Sequence, residues 1–191
     1  MQRIALIIPA FNEEKSIGNV LADIPSVVAE TVVVDNNSSD GTADVARNGG
    51  ATVLYEPQKG YGYACLKGID YLSKTSRRPD IIVFMDGDYS DYPEELPKVV
   101  APILEQGMDM VIGARVKSLR EEGSMTPQQV FGNALATFLM KVLFGANYTD
   151  LGPFRAITFS ALETLEMEDK TYGWTVEMQL KAIKKNLAYT E

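Results

Sequence analysis

Five short apolar runs constrain the fold of this chain more than any other feature of its sequence. The runs are rich in β-branched residues, and each is followed by a polar or glycine-bearing turn and, in most cases, by a stretch with helical periodicity. In chain order they read RIALII, TVVVD, TVLYE, IIVFM and DMVIG. Because the runs are apolar throughout rather than alternating, the strands they predict are buried on both faces of a sheet. The sequence therefore predicts an α/β fold with a Rossmann-like, mostly parallel central sheet flanked by helices.

Helix boundaries can be predicted at several points between and after these strands. Ser39 and Asp40 precede the segment TADVARN as candidate N-caps, and Gly49 follows it. The segment YPEELPKVVAPILEQG begins near Pro93 and ends at Gly107, as expected for a helix with proline in its first turn and glycine after its last. Two further helices are predicted in TPQQVFGNALATFLMKVLFG and GWTVEMQLKAIKKN.

The first of these two later helices carries a wide apolar stripe. Apolar residues recur at helical spacing between Val130 and Leu143. Packing of the stripe against the sheet is one explanation, and contact with a lipid tail or a membrane surface is the other. No segment approaches the roughly 20 apolar residues that a membrane-spanning helix needs. Peripheral membrane contact is therefore an expectation, and a membrane span is not.

Length and composition favour one compact domain in a reducing compartment. With 191 residues, of which 46% are hydrophobic, residues 1–191 are predicted to form a single domain with a sizeable core. The net charge of −8 disfavours nucleic acid as a partner, because phosphate backbones are bound by surplus lysine and arginine. Cys65 is the only cysteine, which excludes an internal disulfide. We expect a cytoplasmic protein, free or at the cytoplasmic face of the membrane, as a monomer or a homo-oligomer.

The absence of histidine restricts the chemistry that this chain can perform. Without histidine there is no Ser-His-Asp triad, no His-ligated zinc and no ordinary general base for neutral pH. Proton or metal chemistry must therefore use carboxylates. In open α/β sheets, ligands bind outside the carboxyl ends of the strands. Four of the five segments that follow the predicted strands carry a carboxylate or an amide: PAFNEE, DNNSSDGT, PQKGYGYACLKG and DGDYSD.

Asp86 and Asp88, which directly follow the fourth apolar run, are the sharpest candidates. Two carboxylates two residues apart on an extended segment point the same way, which suits one Mg²⁺ or Mn²⁺ ion that keeps several waters. Such an ion would let this acidic chain hold an anionic diphosphate. One alternative is a solvated turn in which Asp91 caps the next helix. A remote alternative is the D-x-D nucleophile of a phosphohydrolase, which forms an aspartyl-phosphate.

Six segments in order and spacing carry a resemblance to a known family. IIPAFNEE, VVVDNNSSDGT, QKGYGYACLKG, FMDGDYSDYPEEL, VIGAR and YTDLGPFRAI resemble the family 2 glycosyltransferases of the GT-A fold, particularly the polyprenyl-phosphate branch. The resemblance covers nearly the whole chain. It implies an inverting, metal-dependent hexosyltransferase that moves a sugar from a UDP- or GDP-linked donor to polyprenyl phosphate or a cell-envelope glycan.

The resemblance also implies roles for residues on the donor side. Pro9, Phe11 and Glu13 would line the base and ribose. Asp35 would accept a hydrogen bond from the uracil or guanine ring. Lys59 matches a lysine in a Gly-Lys-Gly turn, although Gln58 here replaces the first glycine. The D-x-D pair would place the metal on Asp86 and Asp88, with Asp86 shared between metal and ribose.

The acceptor side has two alternative sets of residues. A hydroxyl acceptor needs a general base, for which Asp150 and Glu177 are the candidates. A phosphate acceptor is already ionised and needs cations instead, and Arg115 and Arg155 stand at family positions suited to that role. A structural ion pair between Arg155 and Asp150 and a scaffold role for Glu177 are the alternatives. An arginine that lipid-phosphate members carry before the GN step is absent from this sequence.

The end of the chain leaves a second class of function open. The sequence stops at LAYTE, where family members continue with a strand and a basic segment, so we expect either a C-terminal truncation or a shortened protein. An active glycosyltransferase is favoured by Asp35, Asp86 and Asp88. A nucleotide-sugar-binding domain without turnover is favoured by the shortened end.

Overall fold

The computed structural model describes residues 2–114, 132, 137–138, 140–142, 144–145 and 148–191. A seven-stranded sheet has the strand order β3-β2-β1-β4-β6-β5-β7. The strands are β1 (Ile4–Ala10), β2 (Val28–Asp35), β3 (Thr52–Tyr55), β4 (Ile81–Phe84), β5 (Met110–Ile112), β6 (Arg155–Thr158) and β7 (Tyr189–Thr190). The α-helices with complete bounds are α1 (Ile17–Ala22), α2 (Thr42–Asn48), α3 (Tyr61–Ser73), α4 (Leu96–Gln106), α5 (Phe159–Leu165) and α6 (Trp174–Lys184).

The predicted mostly parallel sheet is confirmed, with one strand reversed. All five predicted strands form, and the pairs β1–β2, β1–β4, β2–β3 and β5–β7 are parallel. β6 is antiparallel to both of its neighbours, β4 and β5. The carboxyl ends of β1 to β5 therefore share one edge of the sheet with the amino end of β6. This strand was not among the predicted runs, because it is short and begins with the charged Arg155.

The core consists of two apolar layers, one on each face of the sheet. All seven residues of β1 are buried, and they alternate between the layers, as the two-residue period of a strand requires. Ile7 faces a layer that contains Leu72 of α3 and Trp174 of α6. Ile8 faces a layer that contains Ile17 of α1 and Leu96 of α4. Each fully buried side chain of this size contributes roughly 1.5–3 kcal/mol relative to exposure, so β1 anchors the sheet from both sides.

The predicted helix ends are close to the observed ones, with small corrections. The N-cap of α2 is Gly41, and Asp40 instead accepts a hydrogen bond from the Thr42 amide at 3.0 Å. A 3₁₀ turn over Pro93–Glu95 precedes α4, and Gly107 ends α4 with a left-handed φ of 69°. The N-cap of that 3₁₀ turn is Tyr92, without a side-chain hydrogen bond, so the expected cap by Asp91 is wrong.

The predicted apolar stripe lies largely outside the described residues. Its described members Phe138 and Val142 are about 60% exposed, whereas Met140, which was not part of the predicted stripe, is buried. Among the helices that the structure describes, none combines the length and the apolar character that crossing a membrane requires.

Candidate active site

A cleft of about 220 Å³ opens at the sheet edge where β1, β2 and β4 end. Twelve of the described residues line it, and they come from the carboxyl end of β1, from the segments that follow β1, β2, β3 and β4, from the start of α3 and from the loop before α6. Six of them were predicted for donor or metal binding: Pro9, Phe11, Glu13, Lys59, Asp86 and Asp88. Separate segments of the chain thus bring the predicted residues together, as expected for a parallel sheet.

The loops after β1 and β2 are fastened to each other by side chain to backbone bonds. The Asn12 amide donates to Ser38 Oγ at 2.9 Å, and Asn12 Oδ1 accepts from the Ser39 amide at 2.9 Å. The Glu13 amide donates to Thr42 Oγ1 at 2.7 Å. Asn12 has a positive φ of 59°, a conformation that asparagine tolerates better than most residues. These contacts fix the wall of the cleft that carries Phe11 and Glu13.

Asp35 lies behind the cleft and not on its surface. It is 5% exposed, and its Oδ1 accepts a hydrogen bond from the Ser38 amide at 3.2 Å. The contact is a local side chain to backbone bond that holds the turn after β2, an ordinary role for aspartate. The neighbouring Asn36 lines the cleft instead. The sequence therefore located the right loop, but the residue that faces the cleft is the next one.

Lys59 and Phe11 face each other across the cleft. The Lys59 Nζ atom lies 4.8 Å from the centroid of the Phe11 ring, within the range of a cation–π contact. Phe11 is 43% exposed, so much of its ring is open to solvent. The ammonium of Lys59 suits contact with a phosphate, and the ring of Phe11 suits contact with a nucleotide base.

The two aspartates of the D-x-D pair differ in their surroundings. Asp86 is half-buried beside Tyr61, and burial followed by the charge of Asp86 raises the pKa of Tyr61 well above its ordinary value. Asp88 is exposed, and its Oδ1 accepts from the Ser90 amide at 2.9 Å. Within the described residues, no group of three or more Asp, Glu or Cys side chains gathers as a metal site. An ion on this pair would need further oxygen ligands from a bound molecule or from water.

Arg155 lies in the interior, near Tyr61 of the cleft. It is 0% exposed, although it begins β6 at the cleft edge of the sheet. Its guanidinium donates to the carbonyls of Thr175 at 3.1 Å, of Leu151 at 3.2 Å and of Gly152. Burial lowers the pKa of Arg155, against the raising effect of nearby tyrosines. The expectation that it binds an acceptor phosphate does not agree with this burial and with the three carbonyl contacts.

Glu177 has the scaffold contacts that were the alternative to catalysis. Its carboxylate accepts from the amides of Glu168 at 2.9 Å and Asp169 at 2.8 Å, and it pairs with Lys181 at 2.8 Å. Partial burial raises the pKa of Glu177, but Lys181 and the two amides outweigh it and lower the pKa below its ordinary value. A carboxylate held in this way is a poor proton acceptor, and its contacts fix the loop before α6.

Of the two remaining acceptor candidates, Asp150 and Arg115, the first is not among the residues that line the cleft. Asp150 is 1% exposed, and its Oδ1 accepts from the Leu151 amide at 2.9 Å. Its own amide donates to Glu191 at 3.2 Å. Arg115 lies outside the described residues, so its predicted role stays a prediction.

Sequence reasoning missed three side chains that line the cleft: Asn36, Tyr61 and Tyr172. Tyr172 is 90% exposed and stands on the loop between α5 and α6. This loop packs on the start of α3, where the Gly62 amide donates to the Thr171 carbonyl and the Tyr63 amide to the Lys170 carbonyl, both at 3.2 Å. No local pattern signals a contact between segments that lie so far apart in the sequence.

Two glycines permit this contact, and they were the one available signal. A Cβ atom on Gly60 would lie 2.2 Å from the Lys170 carbonyl oxygen, and one on Gly62 would lie 2.0 Å from that of Asp169. Real Cβ atoms are essentially never so close to a backbone oxygen, so only glycine fits. The GYG spacing, which does not complete a nucleotide-binding fingerprint, marks a close approach of backbones instead.

Comparisons with known proteins agree with this geometry. An uncharacterised glycosyltransferase of Mycobacterium tuberculosis is 33% identical over 94% of this chain and 78% of its own length. The UDP-N-acetylglucosamine–dolichyl-phosphate N-acetylglucosaminyltransferase of Methanococcus voltae is 29% identical over 96% of this chain and 81% of its own.

A solved structure with the same fold contains a metal ion and a nucleotide. The glucosyl-3-phosphoglycerate synthase of Mycobacterium tuberculosis, in complex with Mn²⁺, UDP and glucosyl-3-phosphoglycerate, is 27% identical with a TM-score of 0.69. The match covers 96% of this chain and 66% of the synthase, so this chain spans just under two thirds of that protein's length. Residues 5–166 match the family model described as glycosyl transferase family 2. This chain therefore belongs to glycosyl transferase family 2 and has its GT-A fold.

Proposed function

We propose that this protein binds a UDP- or GDP-linked sugar together with Mg²⁺ or Mn²⁺ and transfers the sugar, with inversion, to polyprenyl phosphate or a cell-envelope glycan. One observation carries the proposal: six residues predicted for donor and metal binding, from separate segments of the sequence, line a single cleft. A phosphohydrolase, the remote alternative, has no support from the family to which the chain belongs.

The donor nucleotide would lie between Phe11 and Lys59. The open face of Phe11 offers apolar contact to the base or ribose, beside Pro9 and Glu13. The Lys59 ammonium offers a positive charge to the diphosphate, which is valuable in an acidic chain with a net charge of −8. Asp35 would support this site from behind, by holding the turn that follows Asn36.

Asp86 and Asp88 would hold the metal ion. Both carboxylates line the cleft, and two carboxylates completed by diphosphate oxygens and waters form the coordination that Mg²⁺ usually has in proteins. When bound, such an ion stabilises the negative charge that develops on the leaving diphosphate. Tyr61 beside Asp86 would limit the movement of that carboxylate.

We favour a phosphate acceptor over a hydroxyl acceptor, because neither candidate general base, Asp150 or Glu177, is among the described residues that line the cleft. An ionised phosphate oxygen can attack the sugar carbon directly, while the bond from that carbon to the diphosphate breaks and the nucleoside diphosphate leaves. This reaction needs no general base, whereas Glu177 is held by three donors. The relative from Methanococcus voltae carries dolichyl phosphate in its name, which supports the same class of acceptor.

We also propose that a lipid-linked acceptor is reached from a membrane surface on the cytoplasmic side. Phe138, Val142 and Phe144 expose 60%, 62% and 40% of their surface. Exposed Lys141 is near them in sequence, and the Lys184 Nζ lies 5.7 Å from the Phe144 ring. Exposed apolar groups with lysines beside them are typical of surfaces that rest on anionic lipid.

Binding without turnover is the second candidate function, and specific observations favour it. Arg155 is buried, and Glu177 is engaged in scaffold contacts. Within the described residues, the predicted donor and metal residues other than Asp35 thus line the cleft, and the predicted acceptor residues do not.

A thermal-shift panel with UDP-, GDP- and dTDP-sugars, with and without Mn²⁺, tests the donor site. A ligand that binds the native state alone raises the Tm, so we expect one nucleotide to give a shift that depends on the metal. Asp88→Asn should remove that dependence. Asp44→Asn is the matched control, because Asp44 is 83% exposed and pairs with Arg47 on the surface. No metal-dependent shift with any nucleotide would refute the proposed function.

A transfer assay separates the two candidate functions. The preferred donor is incubated with Mn²⁺ and polyprenyl phosphate, and release of the nucleoside diphosphate is followed. Release that depends on the lipid phosphate supports the transferase. Metal-dependent binding of the donor without release of the nucleoside diphosphate, by transfer to lipid phosphate or by hydrolysis, supports binding without turnover.

A further inference from the structure

We propose that Asn36 is a positioning residue that holds Lys59 in the donor cleft. This inference rests on the proposed function, in which Lys59 contacts the diphosphate of the donor. Asn36 directly follows β2, is 7% exposed and lines the cleft. It was absent from the predicted donor residues, among which its neighbour Asp35 stood instead.

The side-chain amide of Asn36 binds the backbone on both sides of Lys59. Its Nδ2 donates to the carbonyl of Gln58 at 2.7 Å, and its Oδ1 accepts from the amide of Gly60 at 2.8 Å. Nδ2 also donates to the carbonyl of Glu56 at 3.2 Å. One side chain therefore forms three hydrogen bonds with the segment 56–60 and brackets Lys59 between two of them.

The anchor of this clamp is rigid. The Asn36 amide donates to the Ala10 carbonyl at 2.8 Å, which continues the pairing of β1 with β2 by one residue. The segment that it holds is exposed over Gln58 and Lys59, so burial does little to order it. Since polar contacts and not apolar packing order this loop, the position of Lys59 depends on Asn36.

Only a carboxamide has the groups that this site uses. The clamp needs an acceptor for one amide and two N–H donors for two carbonyls, and the asparagine side chain supplies both. The substitution Asn36→Asp keeps the acceptor but places a charge against the carbonyls of Glu56 and Gln58. Alanine removes all three bonds. Leaving polar groups of a loop without their partners makes its native position less favourable.

Lys59 is the group through which the effect should pass. Its Nζ lies 4.8 Å from the Phe11 ring, so the clamp holds the ammonium at the cleft before a donor binds. A lysine held in place loses less freedom when it contacts a phosphate, and pre-ordering of this kind strengthens binding. We expect Asn36→Ala to weaken nucleotide affinity about tenfold, the equivalent of one hydrogen bond.

Calorimetric titration of Mn²⁺ with UDP or GDP, whichever the thermal-shift panel selects, tests the inference. The proteins are the unmodified chain, Asn36→Ala, Lys59→Ala and the double variant. If Asn36 acts through Lys59, the two single variants each weaken binding, and the double variant binds no more weakly than Lys59→Ala. If the double variant instead loses affinity by the product of the two single losses, Asn36 acts independently of Lys59 and the inference is overturned.

Controls separate positioning from folding. Tyr55→Phe removes the hydrogen bond of Tyr55 to Asn37 at 2.8 Å, on the same strand ends but outside the clamp, and should leave affinity unchanged. If Asn36→Ala does not fold, the near-isosteric Asn36→Asp takes its place in the cycle. Hydrogen exchange at the Gly60 amide gives a measurement without ligand, and it should accelerate in Asn36→Ala while amides of β1 stay protected. An unchanged Gly60 rate would refute the clamp.

The outcomes also separate this inference from the proposed function. If Lys59→Ala binds normally while Asp88→Asn loses metal-dependent binding, the donor site stands and the inference is overturned. If the unmodified chain binds no nucleotide, the proposed function fails and the inference fails with it.

Discussion

Gly62→Ala should destabilise this protein, although alanine is the better helix former. Gly62 is the second residue of α3, where replacing glycine by alanine ordinarily gains about 1 kcal/mol. Here the added Cβ would lie 2.0 Å from the Asp169 carbonyl oxygen and 2.8 Å from the Lys170 carbonyl carbon. Both are backbone atoms, so no side-chain rotation relieves the contact.

The size of the effect follows from the two ways in which the structure can respond. If the loop stays in place, overpacking costs about 1–3 kcal/mol. If the loop moves away, the bonds from Gly62 to Thr171 and from Tyr63 to Lys170 are lost, which at about 0.5–1.5 kcal/mol each costs a similar amount. Because the contact is with backbone atoms at 2.0 Å, the cost lies in the upper part of these ranges, at about 2–3 kcal/mol, and subtracting about 1 kcal/mol for helix propensity leaves a net loss of about 1–2 kcal/mol. For a chain of this length, that lowers the Tm by about 2–8 °C.

Urea unfolding and nucleotide titration measure this prediction together. Gly18→Ala in α1 is the matched control, because its Cβ would meet a Val45 methyl group at 3.3 Å and no backbone. We expect Gly18→Ala to be neutral or stabilising and Gly62→Ala to lose both stability and nucleotide affinity, since Tyr172 would move from the cleft. A Gly62→Ala protein as stable as the parent would refute the view that this glycine is required by backbone contact.

Three further predictions concern the loop before α6 and the buried Arg155. Tyr172→Ala should change stability by less than about 0.5 kcal/mol, because Tyr172 is 90% exposed, yet weaken nucleotide binding several-fold in calorimetry; unchanged affinity would exclude Tyr172 from the donor site. Glu177→Gln should destabilise by about 1–2 kcal/mol at pH 7. The pKa of Glu177 is depressed in the folded state below the ordinary 4.5, so its stabilisation is present above pH 4.5 and is lost as pH falls through the folded pKa; a difference between parent and variant that persists at still lower pH in urea titrations would contradict this. Arg155→Lys should lower stability by about 3 kcal/mol, since lysine cannot reproduce the three carbonyl contacts; a variant with normal Tm that fails in transfer to polyprenyl phosphate would instead support acceptor binding.

The parts of the fold that depend on local pattern were predictable from the sequence. The five apolar strands and the end of α4 at Gly107 follow from continuous burial and from the left-handed preference of glycine. β6 was not predictable in this way. Its pairing partners Phe84 and Ile112 are distant in sequence, and its first residue is a charged arginine whose burial depends on carbonyls from other segments.

The candidate site shows the same division. Pro9, Phe11 and Glu13 lie within a few residues of a strand end, so their placement at the cleft followed from the sheet. Asp35 and Asn36 are adjacent, and strand geometry sends adjacent side chains to opposite faces. A one-residue step therefore decides which of them lines the cleft, and the base contact that the resemblance implies for Asp35 stays a prediction. The scaffold role of Glu177 could not be predicted from the sequence, because it depends on the position of the loop whose amides bind its carboxylate.

The reversed strand β6 has a consequence for how this protein could be re-engineered. Ile112 ends β5 and Arg155 begins β6, and these two residues are direct partners in the sheet. The Gly113 amide continues the ladder by donating to the Phe154 carbonyl at 2.8 Å. The two ends of the segment 114–153 are therefore joined by this ladder. The free-energy cost of closing a longer loop rises only slowly with its length. These paired strand ends can therefore accept a connecting segment of a different length. Any exchange of this segment would have to keep the carbonyls of Leu151 and Gly152, because both hold the buried guanidinium of Arg155.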